Sequence, residues 1–287
     1  MAKFLVIGDL HGQIPDIHFK DFDAVLFTGD VCDTGFLRDI QFRQIALKQK
    51  EPSYKMKNWF SITGKAKAKK LVKESLKGGR KSLESLNSLG VPVYLVPGNA
   101  DWTKEKSTWD FLKKDHFAGI MKGLKNIKNV HKKISDTGEF QVIGYGLSFG
   151  PEFPQHKEDL RFFDEKKLVA RRKTFDKTCS QMREIFKRAE RPVIFLSHNV
   201  PFNTKIDRIL MKESPRYGFH QGSLVTRRMV DEFQPLACIG GHMHEHYGKI
   251  LLGKTICIAA GYGKDANTLL EICSRTVKVK FHKEKTK

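Results

Sequence analysis

Five short segments carry side chains able to hold divalent cations. They are Gly8-Asp9-Leu10-His11-Gly12, Gly29-Asp30-Val31-Cys32-Asp33, Gly98-Asn99-Ala100-Asp101, Ser197-His198-Asn199-Val200-Pro201 and Gly241-His242-Met243-His244-Glu245. Carboxylates, imidazoles and an amide oxygen form a mixed O/N donor set that borderline divalent metals accept. Two such cations about 3.5–4 Å apart repel each other, and a carboxylate bridging both offsets that repulsion. Taken singly each segment is weak, because an Asp-x-His or His-x-His pair is more often a surface feature than a ligand. Their order and placement carry the information.

Each segment follows a short apolar run, at residues 3–7, 24–27, 91–96, 192–196 and 236–239. Each run has the length of a buried strand and is bounded by turn residues. Five strands therefore each deliver a metal-capable residue just past the C-terminal end, the edge where open α/β sheets bind ligands. Glycines at 8, 29, 98, 240 and 241 permit the tight turns that let these side chains converge. Further strand-like runs lie near 142–149, 247–252, 254–259, 267–273 and 275–281, and residues 164–190 read as a helix. The segment from about 36 to 90 reads as a basic helical insertion. Within it, residues 65–72 form a helix with a basic face, expected to end near Gly78-Gly79. With no internal repeat and no Pro/Ser linker, residues 1–287 read as one domain, ending in a basic tail over 283–287.

The five segments in this order, spanning residues 4–246, resemble the calcineurin-like metallophosphoesterase superfamily. The resemblance implies a four-layer α/β/β/α sandwich of two packed mixed sheets flanked by helices. It assigns Asp9, His11, Asp30 and His244 to one metal, and Asp30, Asn99, His198 and His242 to the other, with Asp30 bridging. A hydroxide held between the metals would be the in-line nucleophile, placing Asp30, Asn99 and His198 in the catalytic machinery. Manganese is the first expectation for the pair, with iron or zinc next.

One position departs from the family pattern. Many members carry His after the Asn, where it protonates the leaving group or binds phosphate; here that residue is Ala100. Asp101 matches the acid that follows and is expected to support the ligands around it. Residues 198–262, through His198–Asp207, His220-Gln221-Gly222-Ser223 and Gln234-Pro235-Leu236, look like the Icc-related, mainly prokaryotic branch. There His220 is a candidate replacement acid, or else a hydrogen-bonded structural histidine. Ser223 is a candidate helix N-cap or phosphate contact. His18, His116, His131, His156 and His282 sit in no motif, and His246 stays unassigned.

Composition bounds the partners. The chain has 52 Lys+Arg against 32 Asp+Glu, a formal charge of +20, which favours polyanions, nucleic acid first. Residues 43–81 concentrate this charge, with 13 Lys and Arg against Glu51 and Glu74. A solvated lysine-rich surface is the plainer alternative. No apolar run approaches the roughly 20 residues of a membrane helix, and the N-terminus lacks a signal-peptide pattern. The five cysteines are widely spaced with no CxxC pair, so neither a disulfide framework nor a structural zinc site is expected, and Cys238, Cys257 and Cys273 read as core residues. A cytoplasmic location follows as the expectation. The function expected is hydrolysis of a phosphate ester, a phosphodiester in preference to a monoester, on a nucleotide or nucleic-acid-like substrate. The alternatives are a phosphomonoesterase or protein phosphatase, or a binding module on the same fold. All seven ligand positions being filled argues against the last.

Overall fold

The computed structural model describes residues 1–104 and 107–282. The basic tail expected over 283–287 lies outside them, as do Glu105 and Lys106. Among the described residues, twelve strands form two six-stranded sheets. They are β1 Ala2–Ile7, β2 Ala24–Phe27, β3 Val93–Leu95, β4 Ile127–Asn129, β5 Ile134–Asp136, β6 Gln141–Tyr145, β7 Val193–Asn199, β8 Ala237–Gly241, β9 Tyr247–Leu252, β10 Thr255–Ala260, β11 Asn267–Cys273 and β12 Thr276–His282. The first sheet has the order β12-β11-β1-β2-β3-β4 and the second β5-β6-β7-β8-β10-β9. The run β1 to β4 is parallel, as is β6-β7-β8-β10, and antiparallel strands close the remaining edges.

Burial explains the layers. Successive strand residues point to opposite faces. In β1, Phe4 and Val6 join the core between the sheets, while Leu5 and Ile7 join the core under the helices. A third core packs the outer face of the second sheet against α5 Glu165–Lys187 and α6 Leu224–Phe233. Strands buried on both faces read as unbroken apolar runs, which is why they were visible in the sequence. The expected α/β/β/α sandwich is the observed architecture.

Between β2 and β3 the basic insertion forms α1 Gly35–Lys50, α2 Trp59–Thr63 and α3 Lys65–Asn87; α4 His116–Met121 follows β3. Residues Ala68, Val72, Ser75, Gly79, Ser82, Leu83 and Leu86 of α3 are buried, a one-faced helical spacing, while Lys65, Lys67, Lys69, Lys70, Lys73, Lys77 and Lys81 are exposed. The helix does not end at Gly78-Gly79 as expected; it continues to Asn87. Each glycine costs about 1 kcal/mol relative to alanine inside a helix, and close packing accounts for their presence. A Cβ on Gly79 would meet Cys32 Sγ at 2.9 Å, and one on Gly78 would lie 3.4 Å from Gly12 Cα. The glycines therefore let α3 press against the loops that leave β1 and β2.

All five cysteines are free. Cys238 and Cys257 pair across β8 and β10 inside the core, but Cys273 is exposed, because β11 ends there at the turn into β12. No helix among the described residues is long and apolar enough to cross a membrane.

Candidate metal centre

The C-terminal ends of the parallel strands meet where the two sheets face each other. Asp9, Asp30, Asn99 and His242 stand in loops just past β1, β2, β3 and β8. His198 departs from that pattern. It lies inside β7, next to a register irregularity between Leu196 and Asn199 where β7 pairs with β8. Three residues of the cluster, His11, Asp30 and His242, have φ of 46°, 51° and 64°. A left-handed backbone at non-glycine residues stores strain of order 1–3 kcal/mol each and concentrates at functional sites. Glycine is required beside them for a different reason. A Cβ on Gly98 would overlap Asp30 Oδ1, and one on Gly241 would overlap Asp9 Oδ1.

The side chains form two groups that share one carboxylate. Asp9, His11, Asp30 and His244 offer ligand atoms all within 4.8 Å of one another, and so do Asp30, His198 and His242. Asn99 adds its amide oxygen, 2.9 Å from His198 Nε2. Asp30 uses its two oxygens differently. Oδ1 accepts the Ala100 N–H at 2.6 Å, while Oδ2 lies 3.6 Å from both His11 Nε2 and His198 Nε2. Asp9 Oδ1 accepts from the Thr28 hydroxyl at 3.1 Å, and Oδ2 accepts the His242 N–H at 2.7 Å and lies 3.2 Å from His244 Nε2.

These atoms suit cations better than one another. His198 Nδ1 sits 2.8 Å from the Thr28 carbonyl, to which it donates, and its Nε2 faces the Asn99 oxygen, so in the neutral ring the remaining lone pair is turned towards the centre. His11 and His244 face each other through Nε2 atoms 3.3 Å apart. Burial holds the His11 and His244 imidazoles down to about 4 and pushes His242 well below its ordinary value, so all three keep a free lone pair at neutral pH. The charge of Arg38, on the first turn of α1, adds to the effect on His244. Burial pushes Asp9 up to about 7; it also raises Asp30, where Asp9 adds to it. Carboxylates buried among neutral imidazoles lack a counter-charge, and converging lone pairs lack a proton to share. A divalent pair satisfies both conditions.

Asp101 holds this arrangement from beneath. Its Oδ2 accepts the N–H of Asp30 at 3.1 Å and of Gly98 at 2.8 Å, and its Oδ1 accepts those of Val31 and Cys32. One carboxylate thus ties the loop after β2 to the loop after β3. Asp101→Asn would turn an NH₂ against backbone donors. We expect manganese affinity to fall about 10- to 100-fold, measured by titration calorimetry on a chain whose circular dichroism is unchanged.

The Asp9 shift has a pH consequence with a definite sign. Its carboxyl is raised in the metal-free fold, so that fold keeps a proton the unfolded chain has lost between about pH 4 and 7. The stability contributed by this group is therefore present below that window and lost as pH rises through it. Metal uptake must displace the same proton. Reloading chelated protein should release more protons per chain at pH 6 than at pH 8, by about 0.8 for this group, read from calorimetry in buffers of different ionisation enthalpy.

A family profile described as calcineurin-like phosphoesterase matches residues 2–246. The chain belongs to that family. Calcineurin-like phosphoesterases are metal-dependent hydrolases, and the clustered metal-capable side chains lie within the matched span. One solved structure, 18% identical over 98% of both chains, superposes with a TM-score of 0.59 and shares the fold. The protein TT1561 of Thermus thermophilus, 15% identical over 98% of both chains, gives a TM-score of 0.48. No protein in the curated set matches by sequence.

The remaining sequence candidates sit elsewhere. His220 is not in either ligand group. Its Nδ1 lies 2.7 Å from Asp207 Oδ1, and Asp207 is fully buried, its carboxylate also accepting the N–H groups of Asn203, Thr204 and Gly222. The loop bearing His220 reaches the centre on two sides. Asn199 Nδ2 donates to the Gln221 carbonyl, and Gln221 Nε2 donates to the carbonyl of Phe149, whose ring lies against His242. Ser223 is the N-cap of α6, its Oγ accepting from Thr226 N at 3.0 Å. Glu152 takes the end of that helix, accepting from Ser223 Oγ and from the N–H of Leu224 and Val225. His246 accounts for itself through a 2.7 Å contact with the Arg208 carbonyl. Sequence reasoning gave no role to Thr28, Asp207, Phe149 or Tyr262. None lies in a metal-ligand motif, and each matters only through what the fold places beside it.

Proposed function

We propose that this chain is a dinuclear phosphodiesterase acting on nucleotide or nucleic-acid-like diesters. The observation that carries the reading is the sharing of Asp30 between two otherwise separate ligand groups. Asp9, His11, Asp30 and His244 would hold one cation, and Asp30, Asn99, His198 and His242 the other, with manganese ahead of iron or zinc. When bound, such a pair supplies Lewis acidity, acidifies a water nucleophile and neutralises charge developing on phosphate oxygens. The residues of the chain do the rest. Asp101 and the Ala100 N–H hold Asp30 in one orientation, the Thr28 carbonyl fixes the His198 tautomer, and the Asp9 carboxylate holds the loop carrying His242.

Diester cleavage is favoured over monoester cleavage because Ala100, which is 4% exposed, has no proton to give. His220 is the candidate for whatever residual proton transfer the leaving group receives, short of the full assistance that a residue at position 100 would give. With Nδ1–H donated to Asp207, Nε2 has no protein partner among the described residues, and the side chain is 30% exposed. The assay that decides the function is turnover of bis(p-nitrophenyl) phosphate and of nucleotide diesters by manganese-loaded protein. No turnover above the metal-free control would end the reading.

The lysines of α3 would extend the site towards a polyanion. The helix touches the loop after β1 directly, where Ser82 Oγ donates to the Gln13 carbonyl at 2.8 Å. Affinity for nucleic acid should then fall steeply with salt, since each neutralised phosphate releases counterion. Replacing Lys65, Lys67, Lys69 and Lys70 by Glu should weaken binding and flatten that slope in a fluorescence-anisotropy titration. Salt-independent binding would mark these lysines as a solvated face.

A further inference from the structure

Two aromatic rings stand exposed at the rim of the metal centre. Phe149, in the loop after β6, is 56% exposed, and its ring meets His242 edge-on with centroids 5.7 Å apart. Tyr262, just past β10, is 39% exposed and stacks on His244 at 4.3 Å, with His11 at 5.6 Å. Neither ring is loosely attached. Leu147 N donates to the Pro97 carbonyl at 2.8 Å, and Gln221 Nε2 donates to the Phe149 carbonyl at 3.2 Å. Gly263 N donates to the Asp9 carbonyl at 2.9 Å, and Gln13 donates to the Tyr262 hydroxyl at 3.4 Å. The backbone thus fastens both loops to the ligand-bearing loops and leaves each ring facing solvent.

The placement has a chemical meaning. His242 and His244 belong to different ligand groups, so the rings flank different halves of the centre. A phosphomonoester carries one organic arm, whereas a diester carries two, leaving phosphorus in different directions. A nucleobase offers a π-face to either ring, and its stacking on an aromatic side chain changes affinity about 5- to 150-fold per base.

We infer that Phe149 and Tyr262 are stacking platforms for the two arms of a dinucleoside phosphodiester, one base on each ring. The inference names the substrate class of the proposed phosphodiesterase and rests on that reading. The test is calorimetry on manganese-loaded protein with three probes: methyl phosphate, thymidine 5′-phosphate, and the slowly hydrolysed phosphorothioate analogue of thymidylyl-thymidine. Phe149→Leu and Tyr262→Leu keep apolar bulk against the imidazoles and remove the π-face, while Tyr262→Phe keeps the face. Thymidine 5′-phosphate should bind about 5- to 150-fold tighter than methyl phosphate. One leucine variant should remove most of that preference, both should weaken the dinucleoside analogue, and Tyr262→Phe should retain it. Equal binding of methyl phosphate and the nucleotide by the wild type would overturn the inference. So would leucine variants that weaken methyl phosphate as much as the nucleotide, since the rings would then only prop the histidines. The phosphodiesterase reading fails separately, by absence of bis(p-nitrophenyl) phosphate turnover, a result the binding ratios do not depend on.

Discussion

Asp30→Asn is expected to lower phosphodiester turnover about 10³-fold or more and to reduce bound metal towards one ion per chain. The reason lies in how the carboxylate is held. Oδ1 accepts the Ala100 N–H, so an asparagine must keep its carbonyl oxygen there. Its NH₂ then occupies the place of Oδ2, the atom 3.6 Å from both His11 Nε2 and His198 Nε2. An NH₂ is a donor without a usable lone pair and cannot bridge cations. Losing several kcal/mol of charge stabilisation corresponds to about three decades in rate. Elemental analysis and turnover of bis(p-nitrophenyl) phosphate check it together. Near-wild-type turnover with two metals retained would remove Asp30 from the bridging position.

The second large effect concerns the leaving group. General-acid assistance contributes about 10²–10⁴-fold, and Ala100 supplies none. Rates should therefore rise steeply as leaving-group pKa falls, with aryl diesters exceeding alkyl monoesters by at least about 10²-fold. If His220 replaces the missing acid, His220→Ala should lower activity most on poor leaving groups. Asp207→Asn should do the same more weakly, because it loosens the ring without removing it. Ala100→His reports on the same step only where the imidazole finds room, since Ala100 lies buried beside Asp30. Alkyl monoesters cleaved as fast as aryl diesters would show that another group protonates the leaving oxygen, and the diesterase proposal would fall.

The residues at the centre were legible because their chemistry is local. Each stands within a few residues of an apolar strand, and β2, β9 and β11 fall where the apolar runs place them. Burial on both faces writes a strand into the sequence as an unbroken run, and the few side chains able to offer an oxygen or nitrogen to a divalent cation are recognisable whatever surrounds them. Helix ends were less legible. Gly78-Gly79 has the composition of a stop signal, yet contact with Gly12 and Cys32 overrides it, and the local residues carry no trace of that contact. Cys273 likewise reads as core by its neighbours and is exposed by its place at a turn.

Sequence alone determined the buried strands with a metal-capable residue after each, the basic insertion and an alanine at position 100. Tertiary structure alone decided which oxygen of Asp30 faces both groups, which nitrogen of His198 faces Asn99, and that Asp207 lies under His220 across 13 residues of chain. It alone brought Phe149 and Tyr262 to the rim of one site. Ligand identity is a property of one residue and its spacing, whereas orientation, tautomer and the company a ring keeps depend on atoms that only folding brings together.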